Sequence, residues 1–200
     1  MCMSDILCVT NRTLCRESFI RRLDRIAAFR PAGILLREKD LTPQAYRELA
    51  MQVLPVCRRH KVPCILHNFV DVAMQLRSEA IHVPLPILRE MSQEQKSAFC
   101  VIGTSCHSAQ EAVEAQLLGC TYITAGHIFD TDCKKGLPGR GLPFLEEVCT
   151  LVTIPVWAIG GIDAENVAGV REAGAAGVCL MSSLMNSDHV EELMHSIMAG

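Results

Sequence analysis

A single-domain (β/α)₈ barrel is the architecture predicted by this 200-residue chain, and three observations predict it. Eight short runs of β-branched and apolar residues alternate with longer segments of helical period. The runs read as continuously apolar, as strands do when both of their faces are covered. No G-x-G-x-x-G follows the first run, where Cys8-Val9-Thr10-Asn11-Arg12 stands, so the doubly wound open sheet takes second place.

Taken in order, the N-terminus lacks the basic and long apolar regions of a signal peptide and reads as the approach to a first strand over 6–10. A helix over 18–29 leads to a second strand, 33–37. The helix over 43–60 has a start signal in Thr42 ahead of Pro43, because proline at the first helical position loses no needed N–H. A strand over 64–67, a helix over 70–77 and a strand over 80–83 follow. The fourth connection, 84–97, holds two prolines early and reads as a loop with a short helix. After the strand over 100–104, Ser108 stands three residues ahead of Glu111, a capping-box spacing that opens a helix over 108–118. Strands over 122–127, 156–160 and 178–182 are each followed by a helix, over 142–151, 164–173 and 188–198. No linker or low-complexity segment interrupts the series, so residues 1–200 are expected to form one domain.

Half of the residues are hydrophobic, a fifth are charged and the net charge is −3, which describes a globular chain with ample core material. That balance argues against nucleic acid as the main partner, since nucleic acid needs a concentrated basic face. No apolar run approaches the roughly 20 residues that span a bilayer. The eleven cysteines are odd in number, scattered and never spaced C-x-x-C, which points away from a disulfide framework or a metal cluster and toward the reducing cytoplasm.

In a (β/α)₈ barrel the chemistry sits at the carboxyl ends of the strands, so those residues are the candidates. The sixth strand ends at Gly126-His127 and feeds a basic, glycine-punctuated loop with Thr131, Asp132, Lys134, Lys135 and Arg140. Histidine titrates near neutral pH and lysine beside open backbone suits a phosphate, so His127 is the candidate acid/base and Thr131 and Lys134 are candidate binders. Cys133 in this loop has no base placed beside it by the sequence and is not read as a nucleophile. The second strand ends in Arg37-Glu38-Lys39-Asp40, either a solvated loop of locally paired charges or an anion site built on Arg37 and Lys39. His67, Asn68 and Asp71 follow the third strand, and Ser105, Cys106, His107 and Ser108 follow the fifth. Asp71 reads as a first-turn acid and Ser108 as an N-cap. Gly160-Gly161 and Ser182-Ser183 end the seventh and eighth strands, where barrels of this kind commonly hold a phosphate on backbone N–H groups.

The segments 36–40, 103–108 with Glu111-Ala112, 126–136, 158–162 and 181–183 together resemble the thiamine phosphate synthase superfamily, in order and over nearly the whole chain. Two activities are known in it. Synthases join a pyrimidine diphosphate to a thiazole phosphate with magnesium on the departing pyrophosphate; thiazole tautomerases aromatise a thiazole carboxylate phosphate by moving a proton. Where a synthase shows Asn-Asp-Arg this chain has His67-Asn68-Phe69, and where a synthase shows acids after its fourth strand this chain has Pro84-Leu85-Pro86-Ile87. Gly126-His127-Ile128-Phe129-Asp130-Thr131-Asp132-Cys133-Lys134-Lys135-Gly136 resembles the tautomerase loop, whose histidine is the proposed acid/base. The resemblance therefore implies a thiazole tautomerase with His127 as catalyst, no cofactor and no metal. A synthase, with magnesium, and a non-catalytic binder of thiazole phosphate are the alternatives. The expected partner is a small-molecule thiazole phosphate, with a possible homodimer and neither nucleic acid nor membrane.

Overall fold

The computed structural model describes residues 4–131, 134 and 136–199. Its parallel strands β1 (Ile6–Val9), β2 (Gly33–Leu36), β3 (Cys64–His67), β4 (Ala80–Pro84), β5 (Val101–Cys106), β6 (Tyr122–Gly126), β7 (Val156–Ile159) and β8 (Gly177–Leu180) pair in sequence order. β8 returns to pair with β1, with Ile6 opposite Val178, so the barrel closes. The connections carry α1 (Phe19–Ala28), α2 (Pro43–His60), α3 (Val70–Gln75), α4 (Leu85–Glu90), α5 (Gln93–Ser97), α6 (Ala109–Leu117), α7 (Gly141–Leu151), α8 (Val167–Glu172), α9 (Ser182–Asn186) and α10 (Val190–Ala199).

Side chains alternate along a strand, so each strand contributes to two cores. Ile6, Cys8, Ile34, Leu36, Leu66, Ile81, Ile123 and Val178 face outward and are covered by helical stripes such as Leu23, Ile26 and Ala27 of α1 and Tyr46, Ala50 and Val53 of α2. Those stripes repeat at three- and four-residue spacing, the period of a helix face. Leu7, Val9, Leu35, Ile65, Ala80, Tyr122 and Cys179 form a smaller cluster inside the barrel. Two glycines make room in that interior. A Cβ on Gly103 would lie 2.1 Å from the Tyr122 ring, and one on Gly177 would lie 2.4 Å from the Trp157 ring.

The fourth connection holds two short helices, where the sequence suggested one. Pro84-Leu85-Pro86 opens α4, and α5 starts on a reciprocal capping box between Ser92 and Gln95. β5 runs two residues beyond its expected end, because Ser105 and Cys106 still pair with Thr124 and Ala125. Ser182, expected as the last residue of a strand, is the first of α9. Among the described residues no helix is long and apolar enough to cross a membrane. The described cysteines are all free thiols, and burial pushes the Cys106 and Cys120 thiols up to about 12, which leaves them protonated and inert. Cys133, Asp132 and Lys135 lie outside the described residues.

Candidate active site

A cavity of about 420 Å³ opens at the carboxyl ends of the strands. Strand parity decides what enters it. The positions that are apolar lower down continue upward, two residues at a time, as Arg37 on β2, His67 on β3, His82 and Pro84 on β4, Ser105 on β5, Thr124 and Gly126 on β6, Ile159 on β7, and Cys179 and Met181 on β8.

The charged quartet after β2 is sorted by the same alternation. Arg37 and Lys39 line the cavity, whereas Glu38 and Asp40 turn the other way. Glu38 is buried; its carboxylate accepts from Thr10 Oγ1 at 2.6 Å and from the Arg12 backbone N–H and Nη1 at 3.0 Å. Asp40 takes a two-pronged bond from Arg12 at 2.7 and 2.6 Å, which holds its carboxyl below the usual range. Arg12 thus absorbs both anions and leaves the cations to the cavity. Burial first, then the nearby charges of Arg37 and Lys134, lower the Lys39 pKa. The two acids of this quartet are thus tied to Arg12, and its two cations line the cavity.

The loop after β6 is fastened to the end of β7. Ile128 N–H donates to the Ile159 carbonyl at 2.9 Å, Phe129 N–H to the Gly160 carbonyl at 3.0 Å, and Gly139 N–H to Asp130 Oδ1 at 2.7 Å. His127 lines the cavity with Nε2 3.1 Å from the Leu137 carbonyl, so that nitrogen carries the proton and donates it. Thr131 and Lys134 also line the cavity. Gly160 and Gly161 have φ of 106° and 65° and pass directly beneath this loop. On the neighbouring strand end, Ser182 and Ser183 begin α9, whose Leu184 carbonyl accepts from the buried Arg22 Nη1 at 3.2 Å. All nine residues singled out at the strand ends, His127, Arg37, Lys39, Thr131, Lys134, Gly160, Gly161, Ser182 and Ser183, therefore border one cavity. Asp71 is exposed and lies away from it, and Asn68 is not among its lining residues.

Ser105 stands among the strand-end candidates without an assigned role, and His82, Thr124 and Glu111 are not among them, although all four line the cavity. Counting in twos from the apolar Ala80 and Val101 would have found His82 and Ser105. Among the described residues Glu111 is the one acid in the lining, and its Oε2 accepts from the His107 backbone N–H. His107 Nδ1 stands 2.8 Å from the Gly126 carbonyl. The two imidazoles beneath are stacked, with ring centroids 6.0 Å apart.

Burial, followed by each other's charge and by Arg37 and Lys39, pushes His67 down to about 3; burial, then Arg37 and Lys39, takes His82 to about 3. Both stay neutral in the folded protein and take up a proton on unfolding once the pH is below about 6.5. The unfolded chain then binds more protons, so stability should fall as pH falls from about 6.5 toward 3, by up to about 1.4 kcal/mol per pH unit for each histidine. Denaturant titrations between about pH 4.5 and 7 should show this slope, and His82→Gln should flatten it. A flat wild-type profile would contradict buried neutral imidazoles.

A family model described as thiamine monophosphate synthase matches residues 6–184. The chain belongs to the thiamine monophosphate synthase family. Thiamine-phosphate synthase 2 of Streptococcus pneumoniae is 30% identical over 180 residues, covering 88% of this chain and 84% of its own. Thiamine-phosphate synthase of Enterococcus faecalis is 30% identical over 185 residues, covering 90% and 85%. Among solved structures, thiamine phosphate pyrophosphorylase from Pyrococcus furiosus superposes with a TM-score of 0.84 at 25% identity, over 96% of this chain and 93% of that one.

These relatives correct the activity expected from the loop after β6. The thiazole tautomerase, an isomerase, is overturned: the curated relatives at about 30% identity are named as synthases, which makes the transferase alternative the better supported. The position of His127 at a strand end is compatible with proton transfer, but its Nε2 proton is held by a loop carbonyl, and Arg37, Lys39, Lys134 and the Gly160-Gly161 backbone line the same cavity.

Proposed function

We propose that the chain is a thiamine phosphate synthase, a transferase that joins a hydroxymethylpyrimidine diphosphate to a thiazole phosphate and releases pyrophosphate. The observation that carries this reading is the pairing, in one cavity, of three cations with a separate glycine- and serine-lined strand-end rim. Two anionic reactants need two such places. Arg37, Lys39 and Lys134 suit the diphosphate, and the backbone around Gly160, Gly161, Ser182 and Ser183 suits the single phosphate, with Thr131 beside them.

In the reaction the thiazole nitrogen's lone pair forms the new bond to the pyrimidine methylene carbon. The carbon–oxygen bond to the diphosphate breaks and leaves its electrons on the pyrophosphate, so negative charge grows on the leaving group. Preorganised cations facing that charge lower the barrier without reorganising. Holding both reactants over the same barrel mouth contributes the proximity term. Within this reading His127 positions the loop through the Leu137 carbonyl and takes no part in bond making.

The synthase resemblance implies magnesium, which wants oxygen ligands and one or two carboxylates. The described residues do not fit it. The two places where synthases carry acids hold Asn68 and the Pro84-Leu85-Pro86-Ile87 stretch, Asp71 lies outside the cavity lining, and Glu111, the one acid among the described lining residues, has its Oε2 on the His107 backbone N–H. Among the described residues no group of three or more His, Cys, Asp or Glu side chains could hold a metal. No step here is routed through a metal, and the leaving group's charge falls to the three cations. Nine free described thiols suit a reducing compartment such as the cytoplasm.

A bacterial strain lacking its own thiamine phosphate synthase tests this reading in cells. Expression of the chain should restore growth without added thiamine, and the Arg37→Gln/Lys39→Gln double variant should not. Failure of the wild-type chain, when it accumulates as folded protein, would count against the transferase.

A further inference from the structure

Above the apolar floor of the barrel, four polar side chains from β4, β5 and β6 form one continuous hydrogen-bonded chain. Tyr122 OH stands 2.9 Å from His82 Nδ1, His82 Nε2 stands 2.9 Å from Ser105 Oγ, and Thr124 Oγ1 stands 2.9 Å from Ser105 Oγ. Tyr122 can lie there because Gly103, beside it on β5, has no Cβ to meet its ring.

The inventory of protons fixes the direction of this chain. The Tyr122 hydroxyl is buried among Leu7, Val9, Leu35 and Ala80, and among the described hydrogen bonds it has His82 as its one partner. Accepting from His82 would leave the phenol's own proton without an acceptor in an apolar interior, which is costly. The phenol therefore donates to Nδ1. The low pKa of His82 keeps the ring neutral, so its single proton sits on Nε2 and is donated to Ser105. Thr124 donates to the same oxygen. A hydroxyl oxygen has two lone pairs, and both are then taken. The Ser105 O–H is left with the cavity as its outlet, and Ser105 lines that cavity.

We propose that Tyr122 and His82 are positioning residues that hold Ser105 as a fixed hydrogen-bond donor into the cavity, aimed at an acceptor atom on the organic part of the substrate. The placement argues for the organic part. β5 stands half-way round the closed barrel from β1, whereas Arg37, Gly160 and Ser182 sit at the ends of β2, β7 and β8, with Lys134 reaching the cavity from the loop after β6. A substrate anchored by its phosphates on that side extends its heteroaromatic ring toward β5, where a ring nitrogen can accept from Ser105. The choice of substrate rests on the synthase reading; the direction of the hydrogen bonds does not.

Two measurements test the proposal separately. ¹⁵N NMR of the histidines, with His82→Gln for assignment, should show His82 carrying its proton on Nε2 from about pH 5 to 8. A proton on Nδ1 would overturn the proposal whatever the activity. In synthase assays Ser105→Ala should lower kcat/KM about 10- to 100-fold and Tyr122→Phe about 3- to 10-fold. The Tyr122→Phe/Ser105→Ala double variant should be no worse than Ser105→Ala alone, because both remove the same donor. Multiplying losses would show that Tyr122 acts independently and would sink the relay. His82→Gln, whose amide can still donate to Ser105, should retain more activity than His82→Leu. If the wild type made no product, the synthase reading would fail while the NMR result would still decide the proton's direction.

Discussion

Gly160→Ala should weaken binding of inorganic phosphate at least tenfold and lower the stability of the protein by about 2–6 kcal/mol. Two effects add at this position. Its φ of 106° lies where a side chain is strained, and a Cβ there would stand 2.4 Å from the His127 Cβ and 2.8 Å from the His127 Cα. His127 cannot retreat freely, because Ile128 and Phe129 are hydrogen-bonded to the end of β7 on the same side. The added methyl must therefore push the loop after β6 outward or carry the β7 end with it. Either movement spoils the rim shared by Gly160, Gly161, Ser182 and Ser183. Gly119→Ala is the control, since Gly119 has φ of 93° and nothing within 4 Å of its would-be Cβ. It should show the backbone term alone, about 1–3 kcal/mol, with phosphate binding unchanged. Equal losses in the two variants, read by denaturation and by calorimetric titration with phosphate, would mean that the contact with His127 carries no weight.

Lys39→Gln should separate stability from activity. The Lys39 charge is disfavoured in the folded protein by burial and by the neighbouring Arg37 and Lys134, so removing it should leave the empty protein as stable as before or slightly more so. An arriving diphosphate reverses that relation, because three converging cations then face an anion whose charge rises as the bond breaks. The loss in kcat/KM should be about 10² to 10³-fold, of the order found when one donor to a developing anion is removed. Arg37→Gln should lose at least as much, since a guanidinium offers a fixed fork of donors to a phosphate. Stopped assays and melting curves on the same preparations check both halves. A Lys39→Gln protein that lost stability and kept its rate would place the lysine in the fold instead of the site.

The barrel was legible because its signals are local and repeated. Eight apolar runs, helical-period segments between them and caps such as Thr42 and Ser108 all state the same pattern, and the strands formed within two residues of expectation. The strand-end rule then led to Arg37, Lys39, Lys134, Gly160 and Ser182, which do share one cavity. Three-dimensional relations hid the rest. Nothing in Arg37-Glu38-Lys39-Asp40 says that Arg12, far back in the chain, will take both acids. The hydrogen bonds among Tyr122, His82, Ser105 and Thr124 require three strands in register, which sequence spacing does not display. The activity was misjudged for a related reason. His127 stands at a strand end in a basic loop, and the hydrogen bond that occupies its Nε2 is made to Leu137, ten residues on.

The most direct test mixes purified protein with hydroxymethylpyrimidine diphosphate and thiazole phosphate and follows thiamine phosphate and pyrophosphate together by chromatography, with magnesium and again with a chelator in excess. Both products should form in equal amounts, neither should form when one reactant is omitted, and turnover should persist under chelation because Arg37, Lys39 and Lys134 carry the leaving group's charge. Thiamine phosphate formed only in the presence of magnesium would contradict the assignment of that charge to the cations. No thiamine phosphate under either condition, from protein shown to be folded, would contradict the transferase itself.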